Sequence, residues 1–258
     1  MTRPDLTLII PAFNEQERIG PCLRAIQAHF QDPDREVEIL VVDDGSMDDT
    51  ADIVRSFISG FASINQKLKF SLICNPVNRG KGYSVSRGVR CSHGRLVAFC
   101  DADLSAPLID LEKVLSALAG ADMAVGARMS AAYPEQAQPL HRRMAGIVFS
   151  LLTAILCPTG IPDTQCGLKA YRREIALELT RQQTITGFAF DVEHLVIARR
   201  LGLRIQVVDV RWSHKSGSTV RLWRDGCAMF LDLWNIRRAC VPLPERIGGS
   251  HVLAIHGR

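Results

Sequence analysis

The stretch Leu96-Val-Ala-Phe-Cys-Asp-Ala-Asp-Leu104 decides how this chain is organised. Its first half, Leu96–Cys100, is a short apolar run of the kind that forms a buried strand. Its second half puts Asp101 and Asp103 where that strand runs out into a loop. Two carboxylates one residue apart at a strand end can share a divalent cation. Hard oxygen ligands suit Mg²⁺ or Mn²⁺, and such sites leave coordination positions open for substrate phosphates. Taken alone the pair fits a solvated turn equally well, since Asp is favoured in turns. The other loops separate the two readings.

Working outward from this stretch, the same pattern repeats. Leu6–Ile10 is an apolar strand ended by Pro11, and an amphipathic helix is predicted from Ile19 to Phe30. Val37–Val42 is a second strand closed by Asp43-Asp-Gly-Ser46, with Asp48 or Asp49 as a cap for the helix through Ile53, Val54 and Phe57. Phe70–Cys74 is a third strand, followed by Asn78-Arg-Gly-Lys-Gly82 and a helix to Arg90. A helix over about 110–118 and a strand at Met123–Ala127 complete the first half. Strands alternating with helices across short connections predict an α/β fold with a doubly wound, mainly parallel sheet and helices on both faces. Ligands bind such sheets beyond the carboxyl ends of the strands, which is where every polar motif so far lies.

After Arg128 the pattern changes. Met144–Leu156 carries no charge and follows His141-Arg-Arg143. It is too short for a bilayer span, which takes about 20 residues, and reads as a buried helix, with a helix at a membrane interface as the alternative. Leu168–Tyr171 and Ile205–Val210 read as strands, and a helix opens at Thr186–Asp191 and runs through Leu201. The last predicted element is an amphipathic helix over 223–238, and the Gly- and Pro-punctuated tail beyond Pro242 reads as loose. The pattern thus divides the chain into a first half (1–128), a second half (129–222) and a C-terminal helix with its tail (223–258).

Composition narrows the partners. The formal net charge is +4, but the window 199–238 holds nine Lys and Arg against three Asp, so positive charge is concentrated there. A basic region suits an anionic partner such as a phosphate or a lipid surface. No nucleic-acid-binding module is recognisable, so no nucleic-acid partner is expected. The eight cysteines show neither C-x-x-C pairs nor zinc spacing, which predicts reduced thiols in the cytoplasm. The N-terminus has no apolar leader, so no signal peptide is expected, and no transmembrane helix is predicted. His141, His194 and His214 have no second ligand at metal spacing and read as surface or packing residues.

The loops form one chemical set. Asn14, Glu15, Asp43 and Asp44 offer amides and carboxylates for a base and ribose. Gly80 and Gly82 let the backbone approach a phosphate, and Lys81 brings charge. Neither a Walker A loop nor a full G-x-G-x-x-G is present, because Val85 stands at the third glycine position. Together with Asp101 and Asp103, the loops describe a site for a nucleoside diphosphate held through a metal.

With these residues in view, Pro11-Ala-Phe-Asn-Glu15, Val41-Val-Asp-Asp-Gly-Ser46, Asn78-Arg-Gly-Lys-Gly82 and Asp101-Ala-Asp-Leu104 resemble the family 2 glycosyltransferases of the GT-A fold. Asp163-Thr-Gln-Cys-Gly-Leu-Lys169, Phe190-Asp-Val-Glu193 and Val210–Ser218 are similar to the dolichyl-phosphate β-glucosyltransferase branch, related to dolichyl-phosphate mannose synthase. The resemblance covers residues 6 to 222, and it implies a single domain with 1–128 as its nucleotide-sugar-binding half and 129–222 as its acceptor-binding half. It implies that Pro11, Ala12, Asn14, Glu15, Asp43, Asp44, Gly80, Lys81 and Ala102 line the donor site, with Asp101 and Asp103 carrying Mg²⁺ or Mn²⁺. It implies an acceptor site of Arg128, Arg142, Arg143, Gln165, Glu193, His214 and Lys215, with Asp163 and Asp191 beside the reacting groups. Ser105 stands where the mannose synthases have a further ligand, Gln, and His214 stands at the place of a late Arg.

The implied reaction is inverting transfer of glucose from UDP-glucose to a polyprenyl phosphate at the cytoplasmic membrane surface, the protein being peripherally associated with it. GDP-mannose as donor, a sugar hydroxyl as acceptor, and non-catalytic nucleotide-sugar binding stay open at this point. A hydroxyl acceptor needs a carboxylate base. A phosphomonoester does not, since with a second pKa of about 6 it is largely dianionic at neutral pH.

Overall fold

The computed structural model describes residues 3–32, 34–61, 67–128, 140–213, 222–239 and 253–255. Strand β1 (Leu6–Ala12) pairs in parallel with β2 (Val37–Asp43) on one side and β4 (Leu96–Phe99) on the other, and β2 pairs with β3 (Leu68–Cys74). Helices α1 (Gln16–His29), α2 (Thr50–Phe61) and α3 (Lys81–Cys91) make the crossovers, and α4 (Leu108–Ala117) leads into β5 (Met123–Ala127). Beyond α5 (Leu140–Leu156), β6 (Lys169–Arg172) enters antiparallel between β4 and β5. Helices α6 (Arg173–Gln182) and α7 (Phe190–Arg200), then β7 (Ile205–Asp209), α8 (Leu222–Ala239) and β8 (Leu253–Ile255) complete the chain. The sheet order is β3-β2-β1-β4-β6-β5-β7-β8, a mixed sheet in which five of the seven pairings are parallel.

Side chains alternate across each strand, so β1 feeds both layers of the core. Leu6, Leu8 and Ile10 pack with Ile19 and Leu23 of α1, Val54 of α2 and Leu111 of α4. Ile9 faces the other way, with Val85 of α3, Phe99, Leu179 of α6 and Leu195 of α7. Each such aliphatic side chain contributes about 1.5–3 kcal/mol by burial. Strands covered on both faces explain why they read as unbroken apolar runs. The chain order switches direction between β1 and β4, which opens a crevice beyond their carboxyl ends.

Two expectations are corrected, and one helix is added that no expectation covered. The run 144–156 is not buried all round. Met144, Ile147, Val148, Leu151 and Ile155 of α5 are exposed, and Thr153 and Cys157 face inward. Arg173–Gln182 is a helix that the charge-rich sequence did not suggest. Three residues of the tail read as loose, Leu253–Ile255, pair with β7 at the sheet edge.

Candidate active site

The crevice is a cleft of about 1270 Å³ lined by the ends of β1 and β4, the 78–81 loop, Gln165, the 186–188 segment, Asp191 and Ala228. Its first wall is the turn after β1. Asn14 adopts a positive φ of 53°, which Asn tolerates better than most residues. Its amide accepts from Met47 N at 2.9 Å, and its own N–H donates to Ser46 Oγ at 2.9 Å. Glu15 N donates to Thr50 Oγ1 at 2.8 Å. The turns after β1 and β2 are therefore one laced unit.

Asp44 holds the phosphate-type loop in place. Its Oδ1 accepts from Asn75 Nδ2 at 2.7 Å and Arg79 N at 3.0 Å, and its Oδ2 accepts from Gly80 N at 2.7 Å. Gly80 has φ 100°, and a Cβ there would lie 2.4 Å from Thr186 O, so only glycine fits. Asp43 points elsewhere: it is buried outside the cleft lining, accepts from Ser46 N at 3.3 Å, and has an unpartnered Oδ1.

Asp101 and Asp103 both line the cleft. Lys81 Nζ donates to Asp101 Oδ1 at 2.5 Å, and Asp103 Oδ1 accepts from Ser105 N at 2.8 Å. Burial pulls the Lys81 ammonium down, but Asp101, Asp191 and Asp103 outweigh it and hold it above the ordinary lysine range. Glu15 is raised above the usual carboxylate range by burial, Arg18 opposing, with Asp103 and Asp101 adding to the rise. Three carboxylates of one cleft thus crowd each other, an arrangement that a divalent cation relieves. Among the described residues no group of three His, Cys, Asp or Glu is placed to hold a metal ion, and Asp101 and Asp103 are the candidate donors. Two carboxylates with phosphates completing the shell suit Mg²⁺ or Mn²⁺.

The 163–169 segment runs beside Asp101 and puts Gln165 in the lining, whereas Arg128 and Asp163 lie outside it. Arg128 donates through Nε to Asp163 Oδ2 at 2.6 Å and through Nη2 to Asp163 Oδ1 at 2.8 Å, above the Trp212 ring at 5.4 Å. The fork pulls Asp163 below the usual carboxylate range against the opposing effect of burial. Asp163 therefore orients Arg128. Gln165 lines the cleft with a buried Nε2 that has no partner, a donor in need of an acceptor. Gly167 passes so close to Asp101 that a Cβ would fall 2.0 Å from its Oδ2. Asp191 also lines the cleft, and Lys169 Nζ donates to its Oδ1 at 2.6 Å.

Glu193 departs from its expected place at the acceptor. It is buried, accepting from Thr184 N at 2.9 Å, Thr184 Oγ1 at 2.6 Å and Ile185 N at 2.9 Å, which suspends the segment before Thr186. His214 and Lys215 lie outside the described residues. Arg142 and Arg143 fall in the first turn of α5, and their side chains lie outside the description too. The sequence also missed Thr186, Gly187, Phe188 and Ala228 as lining, since none carries a charge.

His194 is a packing residue, as the sequence suggests. It lies edge-on to Tyr171 and Phe190, donates from Nε2 to Gln183 Oε1 at 3.0 Å, and is pushed down to about 3 by burial and by Lys169. Its folded-state pKa lies below the ordinary 6.5, so its contribution is complete above pH 6.5 and lost as pH falls toward 3. Stability should fall by up to ~1.4 kcal/mol per pH unit there from this group. Urea midpoints from pH 7 to 4 should drop less steeply in His194→Gln than in the parent.

The chain is similar to known proteins over most of its length. Residues 7–180 match the model for glycosyl transferase family 2. A dolichyl-phosphate β-glucosyltransferase of Trichomonas vaginalis is 34% identical over 84% of this chain and 66% of its own length. That of Dictyostelium discoideum is 32% identical over 90% and 73%, and the Homo sapiens protein 30% over 90% and 74%. Among solved structures, glucosyl-3-phosphoglycerate synthase from Mycobacterium tuberculosis, in complex with Mn²⁺, UDP and glucosyl-3-phosphoglycerate, superposes with a TM-score of 0.68. It is 21% identical, over 94% of this chain and 81% of that one. A mannosyltransferase from Pyrobaculum calidifontis with GDP-Man and Mn²⁺ gives 0.59 at 22% identity, over 93% and 62%.

Proposed function

The chain belongs to glycosyl transferase family 2, and from that premise we propose that it moves glucose from UDP-glucose to a polyprenyl phosphate with inversion at the anomeric carbon. It is a glycosyltransferase of GT-A fold, and its curated relatives are named for glucosyl transfer to dolichyl phosphate. The observation that supports the finer reading is the cleft itself, lined by Asp101 and Asp103, with the Arg128–Asp163 fork on the segment whose Gly167 abuts Asp101.

The base favoured is uracil. Asp44 spends three acceptor positions on Asn75, Arg79 and Gly80, leaving one on Oδ2. Uracil offers one N–H donor on its pairing edge, whereas guanine offers an N–H and an amino group and needs more acceptors. A divalent ion held by Asp101 and Asp103 supplies charge neutralisation to the departing diphosphate. Lys81, anchored on Asp101, brings a second positive charge to the same end. A phosphate oxygen of the acceptor attacks C1, and the bond from C1 to UDP breaks with its electron pair leaving on UDP. The product is a β-linked lipid phosphate. No side chain has to take a proton, because the attacking phosphate is already ionised at neutral pH. Arg128, fixed by Asp163, supplies charge for that phosphate.

The acceptor's tail calls for a lipid surface, and the exposed apolar face of α5 supports one. Helix α8 packs against α5 and exposes Phe230, Leu231 and Trp234, with Arg237 and Arg238 exposed at its end. Among the described residues no helix is long and apolar enough to cross a membrane. Helix α8 also places Ala228 in the cleft lining, so the lipid-facing helix borders the site.

Purified protein with Mn²⁺, labelled UDP-glucose and a polyprenyl phosphate should yield an organic-soluble labelled product. Transfer from GDP-mannose instead, or none to any lipid phosphate, would overturn the assignment. Gly167→Ala would push Asp101 off its place, and a displacement of about 1 Å costs on the order of 10²-fold in rate. Turnover should fall by that much, with an unchanged circular dichroism spectrum.

A further inference from the structure

Lys169 opens β6 and is fully buried, with Tyr171, Phe99 and Phe190 among the largest buried side chains of the same layer. Withdrawing an ammonium from water is costly, and a methionine of similar length would fill the space without that cost. The ammonium is fully used. Its three N–H donors go to Thr164 O at 3.1 Å, Cys166 O at 2.8 Å and Asp191 Oδ1 at 2.6 Å.

The three acceptors belong to two separate parts of the site. Thr164 and Cys166 lie in the turn that carries Asp163, which holds Arg128; Gln165, with its unpartnered amide; and Gly167, which abuts Asp101. Asp191 lies in the first turn of α7 and lines the cleft. A second ammonium, that of Lys81, shares the Phe99 ring: Lys81 Nζ is 6.0 Å and Lys169 Nζ 5.6 Å from its centroid. Lys81 in turn holds Asp101. Lys81 with Asp101, which opens on the cleft, and Lys169 with Asp191, which is buried, are thus two ion pairs around one aromatic ring.

We propose that Lys169 is a positioning residue for sugar transfer, its ammonium tying the Asp163–Gly167 turn to the Asp191 carboxylate so that the two sides of the cleft keep one register. The inference rests on the assignment of the cleft as a transferase site. The ammonium never reaches solvent or substrate, and acts through Asp191, Gln165 and the Arg128–Asp163 fork. Other groups face the pair from neighbouring elements. Burial raises Asp191, which Lys169 and then Lys81 oppose and Asp101 reinforces. Asp163 and the neutral imidazole of His194 face Lys169, and the Tyr171 hydroxyl, raised by burial, faces Asp191.

The test uses the full chain with Lys169→Met, Lys169→Gln, Asp191→Asn and the double variant Lys169→Met/Asp191→Asn. Lys169→Met should lower kcat by at least 10-fold with the UDP-glucose KM changed less than 3-fold, and its acid limb of kcat should move to higher pH. The double variant, with no uncompensated buried charge, should regain thermal stability and not turnover. Should Lys169→Met fail to fold while the double variant folds, the tie to Asp191 stands, and Lys169→Gln supplies the kinetic comparison. Equal activity of Lys169→Gln and the parent, or recovery of turnover together with stability in the double variant, would reduce Lys169 to a filler and overturn the proposal. A failure of the functional assignment looks different: the parent protein itself would make no labelled lipid, while the stability comparison would still report on the Lys169–Asp191 tie.

Discussion

Alanine at Asp101 or at Asp103 should lower transfer from UDP-glucose by on the order of 10³-fold, the largest loss expected from any single side chain here. The two acids do not carry the same structural burden. Asp103 faces the cleft and accepts one backbone N–H, from Ser105, so removing it leaves the core untouched. Asp101 holds Lys81, and Asp101→Ala leaves that largely buried ammonium to Asp191 and Asp103. The alanine variant should therefore also lose thermal stability, and Asp101→Asn is the fairer test at that position. Asp103→Ala should melt with the parent. In the parent, Mn²⁺ with UDP should raise the melting temperature, and neither variant should show that rise. Chelation of divalent ions should abolish transfer in the parent and leave nothing further to lose in the variants. Transfer at the parental rate by Asp103→Ala would remove the basis for a two-acid cation site.

The nucleotide half was legible because its physics is local. Strands covered by helices on both faces must be apolar throughout, and each apolar run gives way at or next to its strand end to a turn-forming or polar residue, Pro11, Asp43, Asn75 or Asp101. The loops converge because parallel strands share one carboxyl edge, so the motifs after β1, β2 and β4 had to meet. The second half is less legible. Antiparallel insertion of β6 between β4 and β5 is a matter of pairing across more than 40 residues, which no periodicity encodes. Helix α6, Arg-Glu-Ile-Ala-Leu-Glu-Leu-Thr-Arg-Gln, buries only Ala176, Leu179 and Thr180, too narrow a face to stand out among its charges. Asp191 and Glu193 were expected at the substrate together. Residues two apart on a helix face different ways, however, so Asp191 lines the cleft and Glu193 turns back to Thr184 and Ile185. Thr186 to Phe188 and Ala228 enter the lining through tertiary packing alone. A uniformly apolar run such as 144–156 has no polar mark to say which side meets solvent, and its half-exposed state emerges only once α8 is seen to cover the other side.

That exposed side supports the second large effect. Ile147, Leu151 and Ile155 recur at four-residue spacing along α5, each more than half exposed at 56%, 60% and 64%. Residues at that spacing lie on one face of a helix, so the three form a stripe, which Met144 and Val148 widen. Phe230, Leu231 and Trp234 add exposed apolar surface on α8, which packs beside α5. An apolar side chain gains about 1.5–3 kcal/mol on leaving water, so three or four inserted at a lipid interface suffice for reversible docking. Arg237 and Arg238 at the end of α8 add attraction to anionic headgroups. The double substitution Leu151→Glu/Ile155→Glu should cut partition onto phosphatidylserine-containing vesicles by on the order of 10²-fold. It should melt with the parent, because neither side chain is packed inside. The decisive comparison is between acceptors. With a long polyprenyl phosphate embedded in vesicles, transfer should fall with partition. With a short, water-soluble isoprenyl phosphate, the double variant should match the parent, since no described residue of α5 lines the cleft. Equal loss with both acceptors would place α5 in the reaction site itself, and unchanged vesicle binding would mean that the apolar face meets something other than lipid.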